Sequence, residues 1–516
     1  MRPILFKVFK MIKMKFAFLM SALILFCSPV CAGGLLTNTN QNIAFLRNPA
    51  RDGAIGIDGV YSNPAGVAFL PNGLHLSFNI QNVYQTRTIY SGMTVPSLQG
   101  TPYYAPMSMN GGDKNGVKKF KGVASVPVLP SIQAALNYDR WGFQASFAVT
   151  GGGGKCTFND GLGSFERAVA MVPALLYSQG IATTTPGYSV ESYIYGRQYI
   201  FGLQLGATYK VNPHLSVYGG FRFHYITNKY EGSITNISAN INGNMENLYD
   251  YFGDQASTYS QMGFYYKMRA SEISDPTTKA KYEAVSQQYY QGAAKAEAAK
   301  TQFADKYLNC TQTGWGICPI IGIDAHWDKL NIAARLEFTN KLNIQNNTKH
   351  DDTGLFQDGV NTPNDLPGIV SVGAQYSILP QLRVMASYHY YFDKDARMAN
   401  DKQKLLSGNT QEYLGGAEWD VTKGVTVSAG AQRTRYGLGD GSYLTDMSFV
   451  TNSYSVGFGA CIKVMKNVKA NIAYFWTNYD KKDKSYTETI QNVAVNCTDQ
   501  FTRTNKVLGV GVDIDI

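Results

Sequence analysis

The sequence predicts an all-β chain: a transmembrane antiparallel β-barrel of about 14 strands, with an N-terminal plug over residues 33–72 and partly helical extracellular loops. Three observations predict it. Segments of about ten residues alternate apolar and polar side chains through most of the chain after Gly73, which puts one set on each face of a sheet. The connections between these segments alternate between very short and very long, as an up-and-down membrane barrel requires. An export signal precedes them.

The signal occupies residues 1–32. Arg2, Lys7, Lys10, Lys13 and Lys15 lead into an apolar run from Phe16 to Phe26, and Val30-Cys31-Ala32 supplies the cleavage site. Removing those five basic residues takes the net charge from +9 to +4, and no basic cluster remains that would suit nucleic acid. No later stretch has the roughly 18 consecutive apolar residues of a membrane helix, and mean hydropathy is −0.19.

Residues 33–72 are polar, rich in glycine and without periodicity. Such a segment cannot form its own core and needs surrounding walls to satisfy its backbone, so it is expected inside the barrel. Within it, Asn63-Pro64-Ala65-Gly66 forms a compact kink, because Asn-Pro imposes an extended or turn conformation and Ala-Gly permits a tight reversal.

The barrel proper spans 73–516. Strands are expected to start near 74, 129, 141, 188, 214, 314, 329, 367, 381, 410, 423, 449, 467 and 502. The clearest alternation sets Leu382, Val384, Ala386, Tyr388 and Tyr390 against Arg383, Met385, Ser387, His389 and Tyr391. Short turns such as Tyr138-Asp139-Arg140 and Trp327-Asp328-Lys329 alternate with long loops near 91–128, 151–187, 244–313, 346–366, 394–409, 437–449 and 481–500. Two of those loops carry helical pattern, at 164–177 and from Thr278 to Leu308. High counts of glycine (51) and tyrosine (35) suit a tapering wall with aromatic girdles.

The chemistry of catalysis is missing from the pattern. The six histidines are scattered without metal-ligand spacing and there is no Cys-x-x-Cys, so neither a metal site nor a cofactor is expected. Gly151-Gly152-Gly153-Gly154-Lys155 superficially suggests a phosphate loop, but Val149 stands where its first glycine belongs. Five cysteines follow the signal, of which Cys310 and Cys318 are placed to close a small loop disulfide in an oxidising compartment.

The stretch from Asp58 through Asn63-Pro64-Ala65-Gly66 to Gly73, set between a signal peptide and a long alternating region, resembles the FadL-type outer-membrane transporters of long-chain fatty acids and other hydrophobic compounds. The sequence departs from that pattern at Phe45-Leu46-Arg47-Asn48-Pro49-Ala50-Arg51, where relatives tend to have small residues. The resemblance implies a non-enzymatic protein of the Gram-negative outer membrane. It would take up a hydrophobic ligand such as a fatty acid by passive diffusion through binding sites in a plugged, monomeric barrel, with outer-membrane lipids around it. It also implies a basic residue near the ligand head group. Arg222 and Arg335, among the lumen-facing charges, are the candidates for a ligand carboxylate, or else merely solvate the interior. The apolar stretch 164–177 either forms an extracellular capture groove through Val169, Val172 and Leu176 or packs against other loops. Finally, the resemblance implies an inward kink in the third strand, here Trp141 to about Thr150. Gly151, Gly152, Gly153 and Gly154 are then either a gap in the wall or the start of a flexible loop. A general porin and a surface adhesin or structural barrel remain the alternatives.

Overall fold

A computed structural model gives the fold, describing Leu35 and residues 42–178, 180–181, 186–490 and 492–516. The expected signal, 1–32, lies outside these residues, as do 33–34 and 36–41 of the plug.

Fourteen strands form the wall. They are β1 (Gly73–Thr94), β2 (Val117–Tyr138), β3 (Trp141–Phe158), β4 (Tyr188–Asn212), β5 (Leu215–Ile241), β6 (Lys306–His326) and β7 (Leu330–Glu337), followed by β8 (Ile369–Leu379), β9 (Leu382–Tyr391), β10 (Gln411–Thr422), β11 (Val425–Arg435), β12 (Ser453–Met465), β13 (Val468–Tyr479) and β14 (Val493–Asp515). Each pairs antiparallel with its successor, and β14 closes on β1 from His75 opposite Asp515 to Thr94 opposite Asn496. Closure pairs each of these fourteen strands on both sides, as a membrane-spanning sheet requires. Short strands such as Asn343–Asp351 and Lys482–Ile490 extend the wall at the long-loop end.

Alternation sets the two faces. On β1, Phe78, Ile80 and Tyr84 are exposed outward while Ser77, Asn79 and Gln81 are buried inward; on β14, Leu508, Val510 and Val512 are exposed. A band of large apolar side chains facing out around a polar interior is what a lipid-facing barrel needs. Among the described residues, no helix is long and apolar enough to cross a membrane.

Several boundaries differ from expectation. β2 begins at Val117 rather than near 129, and β14 at Val493 rather than near 502, so the wall rises further and the first and last long loops are shorter. Pro127 and Pro130 obscured β2, since proline is normally excluded from a central strand. In the longest loop the helix lies at Pro276–Gln302, with Leu308 already on β6, and it packs antiparallel on a second helix, Leu248–Ser271, that the sequence reading missed. That partner is rich in Tyr, Ser and Gly, and it is held by ring contacts such as Tyr266 on Tyr289, 5.4 Å between centroids, rather than by propensity.

The expected Cys310–Cys318 disulfide is absent, and both thiols are free. Both residues lie on β6 eight positions apart, which in extended chain is about 26 Å and far beyond disulfide reach.

Candidate functional site

The floor of the site is the plug. Its first helix, α1 (Ile43–Arg47), is capped by Asn42, whose side chain accepts the Ala44 N–H at 2.8 Å and also donates to Ser77 on β1 at 3.0 Å. The bulky Ile43 and Leu46 fit because the wall facing them is glycine: a Cβ at Gly509 would collide with both, and one at Gly457 with the Leu46 carbonyl. Of the 45–51 stretch, Leu46 thus has its room from wall glycines.

The Asn63-Pro64-Ala65-Gly66 kink is fastened from three sides. Asn63 donates to Asp324 on β6 at 2.6 Å and accepts the Gly66 N–H at 3.1 Å. Gln144 on β3 donates to the Pro64 carbonyl and Ser216 on β5 to that of Ala65, both at 2.7 Å. Gly66 has no room for a side chain, because a Cβ would run into the Asn63 amide and the Asp324 carboxylate.

Buried ions lock the plug to the wall. Arg51 holds Asp58 through Nε at 2.7 Å and Glu418 through Nη1 at 2.9 Å; His389 bridges Asp52 at 2.8 Å and Glu412 at 2.9 Å. Arg222 and Arg335 belong to the same lock, which corrects their assignment as ligand carboxylate candidates. Arg222 pairs with Glu337 at 2.6 Å and lies 4.6 Å from the Tyr61 ring; Arg335 pairs with Glu337 at 3.3 Å and donates to the Tyr61 carbonyl. Both guanidiniums share the Glu337 carboxylate and are buried against Tyr61 of the plug.

The roof is a canopy of loops at the opposite end. The stretch 164–177 forms two short helices, α2 (Gly163–Ala170) and α3 (Val172–Ser178). Val169, Val172 and Leu176 are each buried, in one large apolar cluster with Ile89, Phe120 and Phe501. They form no exposed capture groove; the apolar helix closes the barrel top. Ion pairs inside the canopy fix it, with Arg167 on Asp499 at 2.6 Å and Lys118 on Glu166 at 2.8 Å.

Between plug and canopy lies a pocket lined by Arg87, Cys156, Phe158, Ile194, Tyr230 and Met447 and reaching Gly154. Ile194 and Met447 also line a smaller apolar pocket, with Phe165 and Phe356. Arg87 sits directly opposite Arg503 in the β1–β14 ladder, and below them Gln85 is opposite Asn505. Like charges directly opposed on one sheet face repel. No carboxylate among the described residues pairs with either arginine; Arg503 lies 4.9 Å from the Tyr479 ring, and both Nε atoms, with Gln85 Oε1 and Asn505 Oδ1, are buried without a hydrogen-bond partner. The two arginine Nε donors, beside apolar walls, suit an anionic group carrying a hydrophobic tail, while the amide oxygens of Gln85 and Asn505 are acceptors left open below them. The sequence reading missed Arg87 and Arg503, although their inward position follows from the alternation.

At Gly154 the cavity meets a break in the wall. The β2–β3 ladder pairs Ser131 with Ala148 and resumes only at Ala124 with Cys156, so the register of these two strands lapses between those pairs. Pro127 and Pro130 have no N–H to donate there, and on the other edge the β3–β4 register shifts twice, at Gly151 and before Gly154. The prolines were a readable signal for this break.

No family model and no curated protein sequence matches the chain. Solved structures do. A FadL homologue of Pseudomonas aeruginosa superposes with a TM-score of 0.56 at 12% identity, covering 94% of this chain and 99% of that one. The toluene transporter TodX of P. putida superposes with a TM-score of 0.50 at 12% identity, covering 89% and 94%. A ring of 14 antiparallel strands that superposes over nearly its whole length on a FadL homologue gives the chain the FadL-type barrel fold.

Proposed function

We propose that the protein takes up hydrophobic molecules across the outer membrane of a Gram-negative bacterium by passive diffusion, and that its ligands are amphiphiles with an anionic head, long-chain fatty acids among them. The single observation that carries the reading is the lumenal pocket that Arg87 lines with Phe158, Ile194 and Met447, with Arg503 directly opposite Arg87 in the β1–β14 ladder and no carboxylate among the described residues on either. The head group accepts from the two guanidiniums and the acyl chain lies in the apolar part, each CH₂ removed from water contributing about 0.8 kcal/mol. The folds of a FadL homologue and of a toluene transporter are compatible with hydrophobic cargo. A general porin is disfavoured by a lumen filled and ion-locked by the plug.

Exit runs sideways through the β2–β3 break, which adjoins the cavity at Gly154. The test is a pair of titrations on purified barrel, one with a long-chain fatty acid and one with the fatty alcohol of the same length. In an Arg87→Gln/Arg503→Gln variant the acid is expected to bind roughly tenfold or more weakly, the loss for charge-assisted hydrogen bonds, while the alcohol changes little. Equal losses for both ligands would remove the head-group assignment.

A further inference from the structure

The outer face carries a row of cations, of which Arg197 also borders the lumenal pocket at the wall break. Strand alternation places Tyr209, Leu205, Leu203, Phe201 and Tyr199 of β4 on the lipid side, where Phe201 stacks on Phe147 at 6.2 Å. Trp141 packs on Tyr209 at 4.8 Å near the short turns, giving the lower aromatic girdle. From Tyr209 to Tyr199 is ten residues of tilted strand, a height of about 25 Å, which matches the apolar band of an outer-membrane barrel. One outward position beyond Tyr199 stands Arg197, with its guanidinium 5.7 Å from the Tyr199 ring. It is directly opposite Lys155 on β3 and Lys229 on β5.

Three cations in register across three adjacent strands repel one another. Only Lys229 has a carboxylate, Glu231 at 2.5 Å, so a surplus of two positive charges remains among the described residues. Elsewhere on the outer face, Arg433 is paired with Asp480 at 2.5 Å. The row stands at the level where the lipid headgroups of the long-loop leaflet begin, and a charge at that depth is only partly hydrated, which strengthens its attraction for an anion.

We propose that Lys155, Arg197 and Lys229 bind the phosphates of a phosphorylated glycolipid of the outer leaflet, a bisphosphorylated lipid A. The inference rests on the outer-membrane reading above. Its test uses the full-length barrel in detergent with added bisphosphorylated lipid A, scored by retained lipid in native mass spectrometry and by the heat-induced unfolding shift on gels. Wild type is expected to retain the lipid and unfold at higher temperature. A Lys155→Gln/Arg197→Gln/Lys229→Gln variant, shown folded by its gel mobility, is expected to bind at least tenfold more weakly, and Glu231→Gln more tightly than wild type. Equal retention by the triple variant, or equal binding of dephosphorylated lipid A, overturns the proposal while leaving the membrane reading intact. Failure of wild type to insert into phosphatidylcholine bilayers overturns both.

Discussion

Asp446 shows how one buried carboxylate sets the pH response of the canopy. It lies in the loop before β12, buried, and accepts the Ser164 N–H at 2.8 Å at the start of α2. Burial pushes its carboxyl above the usual range, the charge of Asp499 adds to this, and Arg167 opposes it. A carboxyl whose folded value is raised favours the protonated folded form. Canopy stability is therefore fullest below the unfolded value of about 3.9 and is lost as pH rises through the folded value. Asp446→Asn keeps the acceptor and removes the charge. At pH 7 the variant should protect 163–178 from hydrogen exchange better than wild type, with the advantage gone near pH 4; an advantage independent of pH would refute the assignment. At this scale the sequence was only half legible. Alternation gives the face of Arg222 or Arg87 but not its partner: Glu337 reaches Arg222 across β6, whereas Arg87 meets a second arginine brought round by barrel closure.

For whole elements, the plug and its seat illustrate what pattern reading captures. The kink at 63–66 and the need of 33–72 for a surrounding wall follow from residue type, and the strands follow from period. The seat does not, because Gly457 and Gly459 look in the sequence like ordinary small residues on a polar face. Only the assembled barrel shows that they face Leu46 and Arg47. Gly457→Val should drive a side chain into the Leu46 carbonyl and destabilise the seated plug by about 1–3 kcal/mol, the usual cost of overpacking. Ion conductance in planar bilayers is expected to rise, with Gly219→Ala, whose Cβ would meet nothing within 4 Å, as the silent control. Unchanged conductance in a folded Gly457→Val barrel would mean the plug tolerates displacement without opening a path. The missed helix Leu248–Ser271 has the same origin: its stability comes from Pro276–Gln302 lying against it, which no local window contains.

Across the whole molecule, plug, canopy and wall leave the cavity one weak side, and the direction of release depends on it. Downward passage means displacing α1 and breaking buried pairs such as Arg51 with Asp58 and Glu418, and then releasing the ligand into water. For a chain of a dozen CH₂ groups, re-exposure costs roughly 10 kcal/mol. Sideways passage through the stretch where the β2–β3 register lapses delivers the chain to lipid. The two routes are separable by a staple. A Cβ at Gly154 would lie 2.6 Å from Val126 Cγ2, so cysteines at 126 and 154 are within disulfide reach. Gly154 has φ +65°, and a side chain there costs about 1–2 kcal/mol, tolerable in a barrel of this size. In a Cys156→Ser background, which removes the nearest competing thiol, oxidised Val126→Cys/Gly154→Cys protein should lose most fatty-acid uptake and regain it on reduction. Fatty-acid binding to the purified barrel should persist in both states, because the staple lies at the outlet and leaves Arg87 and Arg503 untouched. Full uptake with the disulfide demonstrably closed would exclude the wall break as the exit and direct attention to the plug.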